Sequence, residues 1–398
     1  MIFEDKKKHL ISLCMIIKNE ERYLDDCLQS VSKYVDQIVV VDTGSSDSSI
    51  SIANRYDTEI HHFKWCDDFG AARNESIKYA DGDWIFQVDA DHRLRLERGF
   101  DLRKHLKNSH KLGYMMSEQS YYMGEKIQTL DRLLLFRNIE GLSYSGVIHE
   151  SPFNSIKSYA EVHEIGEPIG YLENATVIHT GYDDPHQKLL RNYKILKSAV
   201  ENEPDNLHYQ YKLLLTLKQL HLNNDYIESL QSVFDSIVKI ELKPTISTIG
   251  IVGLYGDMIR EEDHHIESSH SFEIAVRQLG EQIRWGDVRI ALPYVKLLFK
   301  RRNSSEAKKI LMSCFQHGIG SDSAPIGFNE YIEAFHFMIR IFRAIDDKEG
   351  LVKYLNSIPK LVNQTSLSLN TIFERLAHDD MELFEYAYNT LKNVDKSV

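Results

Sequence analysis

The first hundred residues alternate short apolar runs with segments of helical spacing. Apolar runs at residues 10–17, 38–41 and 84–88 predict buried strands, and residues 59–63 predict a further short strand. Helical spacing follows at 20–33, from near Asp47, and in a segment ending at Tyr79 that has Asp67 or Asp68 as its amino-terminal cap. Strands joined by helices predict right-handed crossovers and a parallel, Rossmann-like sheet.

The pattern changes twice in the remainder of the chain. Between Asp91 and residue 185, short and mainly antiparallel strands are predicted, with a hairpin around Gly124 formed by residues 113–123 and 132–137 and a later strand at 171–179. The helical segments that follow are residues 188–200, a helix from 203–206 through Leu217 with a partner after 223–226, 288–300 with 306–317, and 331–345 with 348–355. These pairs resemble degenerate tetratricopeptide (TPR) repeats, which stack into a curved solenoid with an interaction surface. The predicted domains are therefore an α/β domain at 1–185 and an all-α domain at 186–398.

Three of the predicted strands end in polar side chains, which parallel pairing would bring to one edge of the sheet. These side chains are Lys18, Asn19, Glu20, Asp42, Asp89 and Asp91. Hard divalent cations prefer carboxylate oxygens and keep positions open for substrate phosphates, so Asp89 and Asp91 form a candidate Mg²⁺ or Mn²⁺ site. The alternative is that this pair only ends a strand and opens a turn. No glycine-rich dinucleotide motif or Walker lysine motif occurs, so bound phosphates would need a metal.

Composition and charge exclude several classes of function. The net charge of −12 argues against bulk nucleic-acid binding, which needs a basic surface. The four cysteines have no spacing typical of zinc sites or disulfide frameworks, which predicts free thiols in a reducing cytoplasm, three of them buried. No apolar run approaches the length needed to span a membrane, so a cytoplasmic protein is expected.

Several motifs resemble those of family 2 glycosyltransferases with the GT-A fold. The amino-terminal ones are Ile16-Ile17-Lys18-Asn19-Glu20-Glu21, Val40-Val41-Asp42-Thr43-Gly44-Ser45-Ser46-Asp47, Asp68-Phe69-Gly70-Ala71-Ala72-Arg73-Asn74 and Asp89-Ala90-Asp91. Two later ones are similar to motifs of a bacterial subgroup with a helical-repeat tail, which includes the sublancin-type peptide S-glycosyltransferases: Gly146-Val147-Ile148-His149-Glu150 and His179-Thr180-Gly181-Tyr182. His92 and Arg93 stand where relatives often have Glu-Arg after the metal motif.

The resemblance implies a GT-A nucleotide-sugar domain followed by a TPR-like helical-repeat domain. It also implies a UDP-sugar-dependent hexosyltransferase that inverts the anomeric carbon, commonly uses UDP-glucose, and is assisted by Mg²⁺ or Mn²⁺. The expected donor-binding residues are Ile17, Asn19, Glu20, Asp42, Ser45, Arg73, Asp89 and Ala90. The expected metal ligands are Asp89, Asp91 and His179. Arg73 is predicted to pair with the diphosphate or with the catalytic base, or otherwise with Asp67 or Asp68 on its own helix.

Inversion requires one base that deprotonates the acceptor while a metal neutralises the leaving diphosphate. Glu150 is the predicted base, with His149 beside it, because it lies in a turn before Pro152 in the region where the family places its acid. The alternative is a surface glutamate beside a structural histidine, and Asp131 is the second choice of base. If the acceptor is a cysteine thiol, the base matters less because a thiol is partly ionised near neutral pH.

Two classes of function remain open at this point. In the first, the enzyme glycosylates a cysteine or serine side chain of a small bacteriocin-type precursor peptide, or instead a cell-envelope glycan or lipid-linked saccharide. The helical surface would then hold the peptide acceptor or a second copy of the chain as a homodimer, or would only cover the catalytic domain. In the second class, the repeats bind a partner and the sugar-nucleotide fold is inactive. The intact carboxylates of Asp89 and Asp91 argue against an inactive fold.

Overall fold

The computed structural model of the chain describes residues 9–122, 125–181, 185–261, 266–317, 328–361 and 369–394. The chain forms two compact units, Met1–Ala199 and Val200–Val398. The division between the two units falls inside a helix, Pro185–Asn202. The predicted boundary between residues 185 and 186 falls at the start of the same helix. The domain division at 185 therefore stays a prediction.

The first unit is built on one eight-stranded mixed sheet. Its strands are β1 (His9–Ile17), β2 (Gln37–Asp42), β3 (Glu59–His62), β4 (Gly82–Gln87), β5 (His92–Leu96), β6 (Gly113–Tyr122), β7 (Glu125–Arg137) and β8 (Ile169–His179). They lie in the order β3-β2-β1-β4-β7-β6-β8-β5. The pairs β1–β2, β1–β4 and β2–β3 are parallel, as predicted for the first four strands, so the carboxyl ends of β2, β1 and β4 lie side by side.

Five helices of this unit connect or follow its strands. They are α1 (Leu24–Val31), α2 (Ser49–Ala53), α3 (Phe69–Ile77), α4 (Leu102–Lys107) and α5 (Phe153–Val162). Of the two predicted caps, Asp68 begins α3, because its carboxylate accepts a hydrogen bond from the backbone N–H of Ala71 at 2.8 Å. Every residue of β2 is buried, as expected for a strand whose two faces are both covered.

The second half of the sheet differs in detail from the predicted antiparallel arrangement. The hairpin of β6 and β7 is present, although β7 begins at Glu125 instead of residue 132, and Gly124 lies outside the described residues. Strand β8 pairs parallel with β6 and antiparallel with β5, so the region is mixed. Neither β5 nor α5 was predicted, since each buries only a few side chains, such as His92 and Leu94 in β5.

Apolar side chains cover both faces of the sheet. Successive residues alternate between two buried clusters: Trp84 and Phe86 of β4 belong to one, and Ile85 belongs to the other. The predicted pattern of cysteine burial is confirmed, because three cysteines are buried and Cys66 is exposed. The two clusters hold the strands in a fixed register and leave their polar carboxyl ends at the edge of the core.

In the described part of the chain after β8, all regular secondary structure is helical. The helices are α6 (Pro185–Asn202), α7 (Leu207–Gln219), α8 (Asn223–Ile237), α9 (Ile246–Glu261), α10 (Ile266–Gln282), α11 (Val288–Lys300), α12 (Ser304–His317), α13 (Phe328–Ala344), α14 (Lys348–Leu361), α15 (Leu369–Asp379) and α16 (Met381–Val394). The predicted helix pairs are present, and α9, α10, α15 and α16 add to them. Helix α9 was missed because it is apolar on most of its circumference and lacks an amphipathic stripe.

The second unit has its own apolar core. Phe234 stacks on Tyr255 with ring centroids 3.6 Å apart, and Phe315 stacks on Phe335 at 4.5 Å. Such buried aromatic pairs contribute large apolar areas to a core. Among the residues that the structure describes, none of the helices combines the length and the apolar character required to cross a bilayer.

Candidate functional site

The polar residues that follow β1 and β4 lie close to one another at the carboxyl edge of the sheet. Glu20 follows β1, and its carboxyl interacts electrostatically with Asp91 and Asp89, which follow β4. Burial, together with these two negative charges, raises the pKa of Glu20 to about 7. The parallel order β2-β1-β4 therefore gathers carboxylates from separate strand ends, which is the arrangement expected for a cation or a polar ligand.

Asp42, at the end of β2, organises the turn beside this cluster. Its buried carboxylate accepts hydrogen bonds from the backbone N–H groups of Gly44, at 3.1 Å, and Ser45, at 3.0 Å. Asn19 joins the same turn, because its side-chain oxygen accepts from the N–H of Ser46 at 2.8 Å. The carbonyl of Ile17 accepts from the backbone N–H of Thr43 at 2.9 Å. These predicted donor-site residues thus fix one another in a rigid pair of loops.

A buried arginine connects the metal motif to the predicted base. Arg73, on α3, donates from Nη2 to Asp89 Oδ1 at 2.9 Å and from Nε to Glu150 Oε1. Although burial raises the pKa of the Asp89 carboxyl, the charge of Arg73, with smaller contributions from His92 and Arg132, holds it well below its ordinary value. Of the partners predicted for Arg73, the structure shows Glu150, the predicted base. It does not pair Arg73 with Asp67 or Asp68, and Asp68 caps α3 instead.

The loop that carries Glu150 is fixed against the start of α3. The backbone N–H of Phe69 donates to the carbonyl of Val147 at 2.8 Å. A Cβ at Gly70 would lie 2.4 Å from the carbonyl oxygen of Gly146, so only glycine allows this approach. His149 is exposed and has a positive φ of 55°. The motif residues around Phe69 and Gly146 therefore position Glu150 through backbone packing.

Asp91 and His179 form the best candidate metal site. Asp91 Oδ2 lies 3.1 Å from His179 Nε2, and the ligand atoms of Asp91, His92 and His179 all lie within 4.8 Å of one another. One carboxylate with imidazole nitrogen fits Mn²⁺ and related transition ions better than Mg²⁺, which prefers oxygen ligands. A Cβ at Gly181 would lie 1.9 Å from Asp91 Oδ2, so the segment after β8 packs directly against this carboxylate.

His92 supports the site and is poorly suited to bind a metal itself. Its Nδ1 accepts a hydrogen bond from the backbone N–H of Asp89 at 3.3 Å, which leaves the proton on Nε2. That Nε2 lies 3.3 Å from Glu118 Oε2, and burial lowers the pKa of His92 although the nearby carboxylates act in the opposite direction. Asp91 and His179 therefore remain the two candidate ligands, and here they are hydrogen-bonded to each other through Asp91 Oδ2 and His179 Nε2.

Four charged residues of the site were missed by the sequence reasoning. Glu118 on β6 binds Arg132 on β7 at 2.9 Å, and Arg132 Nη1 lies 3.9 Å from Asp89 Oδ2. Lys188 Nζ, on α6, lies 3.8 Å from Asp91 Oδ2. The guanidinium carbon of Arg191, on the same helix, lies 4.9 Å from the centre of the Phe69 ring. The alternating polar residues of β6 were a weak signal for Glu118. Nothing in the sequence indicated that the start of α6 would return to the sheet edge.

Asp131, the second choice of base, has a local partner. It is exposed on β7 and accepts a hydrogen bond from the hydroxyl of Tyr171 on β8 at 2.5 Å. Glu150, in contrast, has a side chain that is only 8% exposed and lies in the same charge network as Asp89. Glu150 is therefore a buried member of the charge network, whereas Asp131 is a surface carboxylate.

Residues 12–155 match the family described as Glycosyl transferase family 2. The matched residues make up about a third of the chain and lie within the first unit. The predicted order, an α/β part followed by an all-α part, is confirmed, and the GT-A and TPR-like assignments stay predictions.

Individual proteins resemble parts of the chain. It is 39% identical over 141 residues to a TPR repeat-containing protein of Synechococcus elongatus, covering 35% of this chain and 34% of that protein. It is 28% identical over 245 residues to the SPbeta prophage-derived glycosyltransferase SunS of Bacillus subtilis, covering 59% and 55%. The matches thus span about a third and about half of these curated relatives. A crystal structure of S. aureus TarS 1–349 in complex with UDP-GlcNAc is 14% identical over 77% of this chain and 92% of that chain, with a TM-score of 0.40.

Proposed function

We propose that this chain is an inverting glycosyltransferase that moves a hexose, glucose from UDP-glucose, to a cysteine or serine side chain of a small peptide. The observation that carries the proposal is the juxtaposition, inside the unit that contains the family 2 match, of the Asp91–His179 pair with the network of Arg73, Asp89 and Glu150. The first pair suits a divalent cation, and the network supplies a carboxylate next to it. An inactive sugar-nucleotide fold would have no need to retain both.

The donor would bind along the edge formed by the ends of β2, β1 and β4. The turn made by Asn19, Asp42 and Ser45 is proposed to contact the nucleoside, and Ile17, Glu20 and Ala90 would line the path towards the diphosphate. Asp91 and His179 would hold Mn²⁺ or Mg²⁺, which, when bound, acts as a Lewis acid on the diphosphate. Asp89 would orient Arg73 and is the third proposed metal ligand.

Glu150 is proposed to take the proton of the acceptor in a single displacement. The acceptor sulfur or oxygen forms a bond to the anomeric carbon while the bond from that carbon to the β-phosphate oxygen breaks. The proton moves to the Glu150 carboxylate, and the electron pair of the broken bond leaves with UDP. Arg73 holds the Glu150 carboxylate in one orientation, which limits the positions from which an acceptor can approach.

The peptide acceptor is supported by the similarity to SunS and by the helical unit. Stacked helix pairs present extended surfaces that can bind peptides. An enzyme that modifies a small peptide can use such a surface to hold the peptide outside its catalytic site. We propose that the second unit recognises the peptide and that the enzyme works in the cytoplasm on the precursor. A second copy of the chain bound through the helices is a further proposed use of the same surface.

The proposal is tested by measuring UDP release from UDP-glucose, with UDP-GlcNAc as the competing donor, in the presence of Mn²⁺. Asp91→Asn removes one charged metal ligand and is expected to lower the rate by at least about 100-fold, because Lewis-acid stabilisation is worth several kcal/mol. Asp225→Asn, an exposed carboxylate on α8, is the matched control and is expected to keep the wild-type rate. Equal rates in Asp91→Asn and wild type would contradict the metal assignment.

The acceptor is tested with two synthetic peptides that differ only in a single cysteine or serine. A mass increase of one hexose on either peptide is expected, and resistance of that hexose to base elimination identifies the sulfur linkage. Transfer to neither peptide, together with transfer to a lipid-linked saccharide, would contradict the peptide proposal and leave the donor site standing.

A further inference from the structure

The start of α6 brings two cations to the carboxylate cluster. Lys188 Nζ donates a hydrogen bond to the carbonyl oxygen of Gly181 and lies 3.8 Å from Asp91 Oδ2. Arg191 is three residues further on the same helical face, with its guanidinium carbon 4.9 Å from the centre of the Phe69 ring. The charge of Arg191 interacts with those of Glu150 and Glu20, while the charge of Lys188 interacts with that of Glu20.

These two cations are held in different ways. The guanidinium of Arg191 lies over the Phe69 ring, a cation–π contact, and also donates to the side-chain oxygen of Asn192. Lys188 has a side chain that is 47% exposed, and its contacts are a carbonyl and a carboxylate at the rim. A lysine is a point charge on a flexible stem with three rotatable donors. Lys188 can therefore change partner by rotating its side chain, without any movement of α6.

The ammonium group of Lys188 lies close enough to Asp91 to neutralise the charge of its carboxylate. A divalent cation bound by Asp91 and His179 would satisfy that carboxylate and would repel the ammonium group, since the two carry like charge. The ammonium would then need another anionic partner within reach of its stem. The phosphate oxygens of a nucleotide bound to the same cation provide that partner.

We propose that Lys188 neutralises Asp91 in the free enzyme and becomes a ligand of the diphosphate when a divalent cation and a nucleotide sugar bind. The inference rests on the proposed function and adds a group that the family motifs do not contain. When the bond between the anomeric carbon and the β-phosphate oxygen breaks, the electron pair stays on that oxygen and UDP gains one negative charge. A positioned ammonium stabilises this charge where it develops.

The test compares Lys188→Met with Lys197→Met, which removes an exposed lysine on the same helix. UDP is titrated calorimetrically into each full-length protein with Mn²⁺ present. Lys188→Met is expected to weaken UDP binding by about 10- to 100-fold, the loss typical of one hydrogen bond to a charged group. Lys197→Met is expected to stay within about twofold of wild type, as for surface substitutions away from a site. Lys188→Arg is expected to recover part of the affinity.

Mn²⁺ binding without nucleotide gives a second readout. Because Lys188 competes with the cation for Asp91, Lys188→Met is expected to bind Mn²⁺ as tightly as wild type or more tightly. Wild-type UDP affinity in Lys188→Met would overturn the inference, and so would weaker Mn²⁺ binding, which would show that Lys188 only supports the shape of the site. A wild-type protein that bound no UDP would instead refute the donor site itself.

Discussion

At the scale of single residues, Arg73 determines how the candidate site is arranged. Its guanidinium is buried and bonded to the carboxylates of both Asp89 and Glu150, which come from different strands and loops. Burial alone would favour the neutral form of Asp89, and the charge of Arg73 holds the pKa of that carboxyl below its ordinary value. Removing Arg73 would take the ion-pair partner from Glu150, whose side chain is only 8% exposed, so the cost is large.

Arg73→Met is expected to lower the free energy of unfolding of the first unit by about 3–5 kcal/mol, because the buried carboxylate of Glu150 and the partly buried carboxylate of Asp89 lose their shared partner. Arg55→Met is the matched control: its partner Asp25 is half exposed, so a loss of at most about 1 kcal/mol is expected. Urea denaturation followed by tryptophan fluorescence measures both values. Equal losses for the two variants would show that the Arg73 network does not stabilise the fold.

Glu150→Gln separates the predicted base from a structural carboxylate. The amide keeps an oxygen that can accept from Arg73 but cannot take a proton at neutral pH. UDP release is expected to fall by about 10²- to 10⁴-fold, the range of general base catalysis, while UDP affinity stays near that of wild type. Asp131→Asn is expected to retain full activity. Loss of activity in Asp131→Asn and retention in Glu150→Gln would reverse the assignment.

At the scale of elements, the candidate metal site depends on two strands that pair at the edge of the sheet. His92 of β5 and His179 of β8 are direct partners in an antiparallel pair, and Asp91 immediately precedes β5. The backbone N–H of Thr180 donates to the carbonyl of Asp91 at 3.1 Å, which holds the two segments together beyond the strands. This pairing, more than the spacing of the acids, brings Asp91 to His179.

Gly181→Ala tests the close approach at this edge. The new Cβ would lie 1.9 Å from Asp91 Oδ2, so the carboxylate or the segment after β8 must move. Mn²⁺ affinity, measured by electron paramagnetic resonance of the free ion, is expected to fall by about 10-fold or more, the effect seen when groups that orient metal ligands are disturbed. Gly166→Ala has no atom within 4 Å of its added Cβ and serves as the control. Unchanged Mn²⁺ affinity in Gly181→Ala would argue against Asp91 as a ligand.

At the scale of the whole molecule, the sequence predicted what depends on local patterns. The first four strands were placed to within about two residues. β1, β2 and β4 are short apolar runs that packing covers on both faces, whereas β3 is a short and partly exposed edge strand. The helices after residue 185 were placed where an amphipathic stripe and a polar turn coincide, as at α7, which Asn206 caps. Predictions of this kind need only neighbouring residues.

What the sequence did not predict depends on contacts between distant segments. The short strand β5 and the parallel pairing of β6 with β8 are fixed by register across the sheet, which periodicity does not encode. For the same reason, the partners of Arg73 remained open among several acids, and Lys188 was not associated with Asp91. Asp89 and Asp91 were recognised because they follow a buried strand, and His179 was recognised from the family resemblance; their roles as metal ligands remain proposals.

The most direct test of the central claim is a crystal structure of the protein with UDP and Mn²⁺, in which anomalous scattering locates the ion. We predict one manganese peak at about 2.0–2.2 Å from an Asp91 carboxylate oxygen and from His179 Nε2, with the diphosphate of UDP completing its coordination. A manganese peak that contacts neither Asp91 nor Asp89, or UDP bound away from the ends of β1, β2 and β4, would contradict the account.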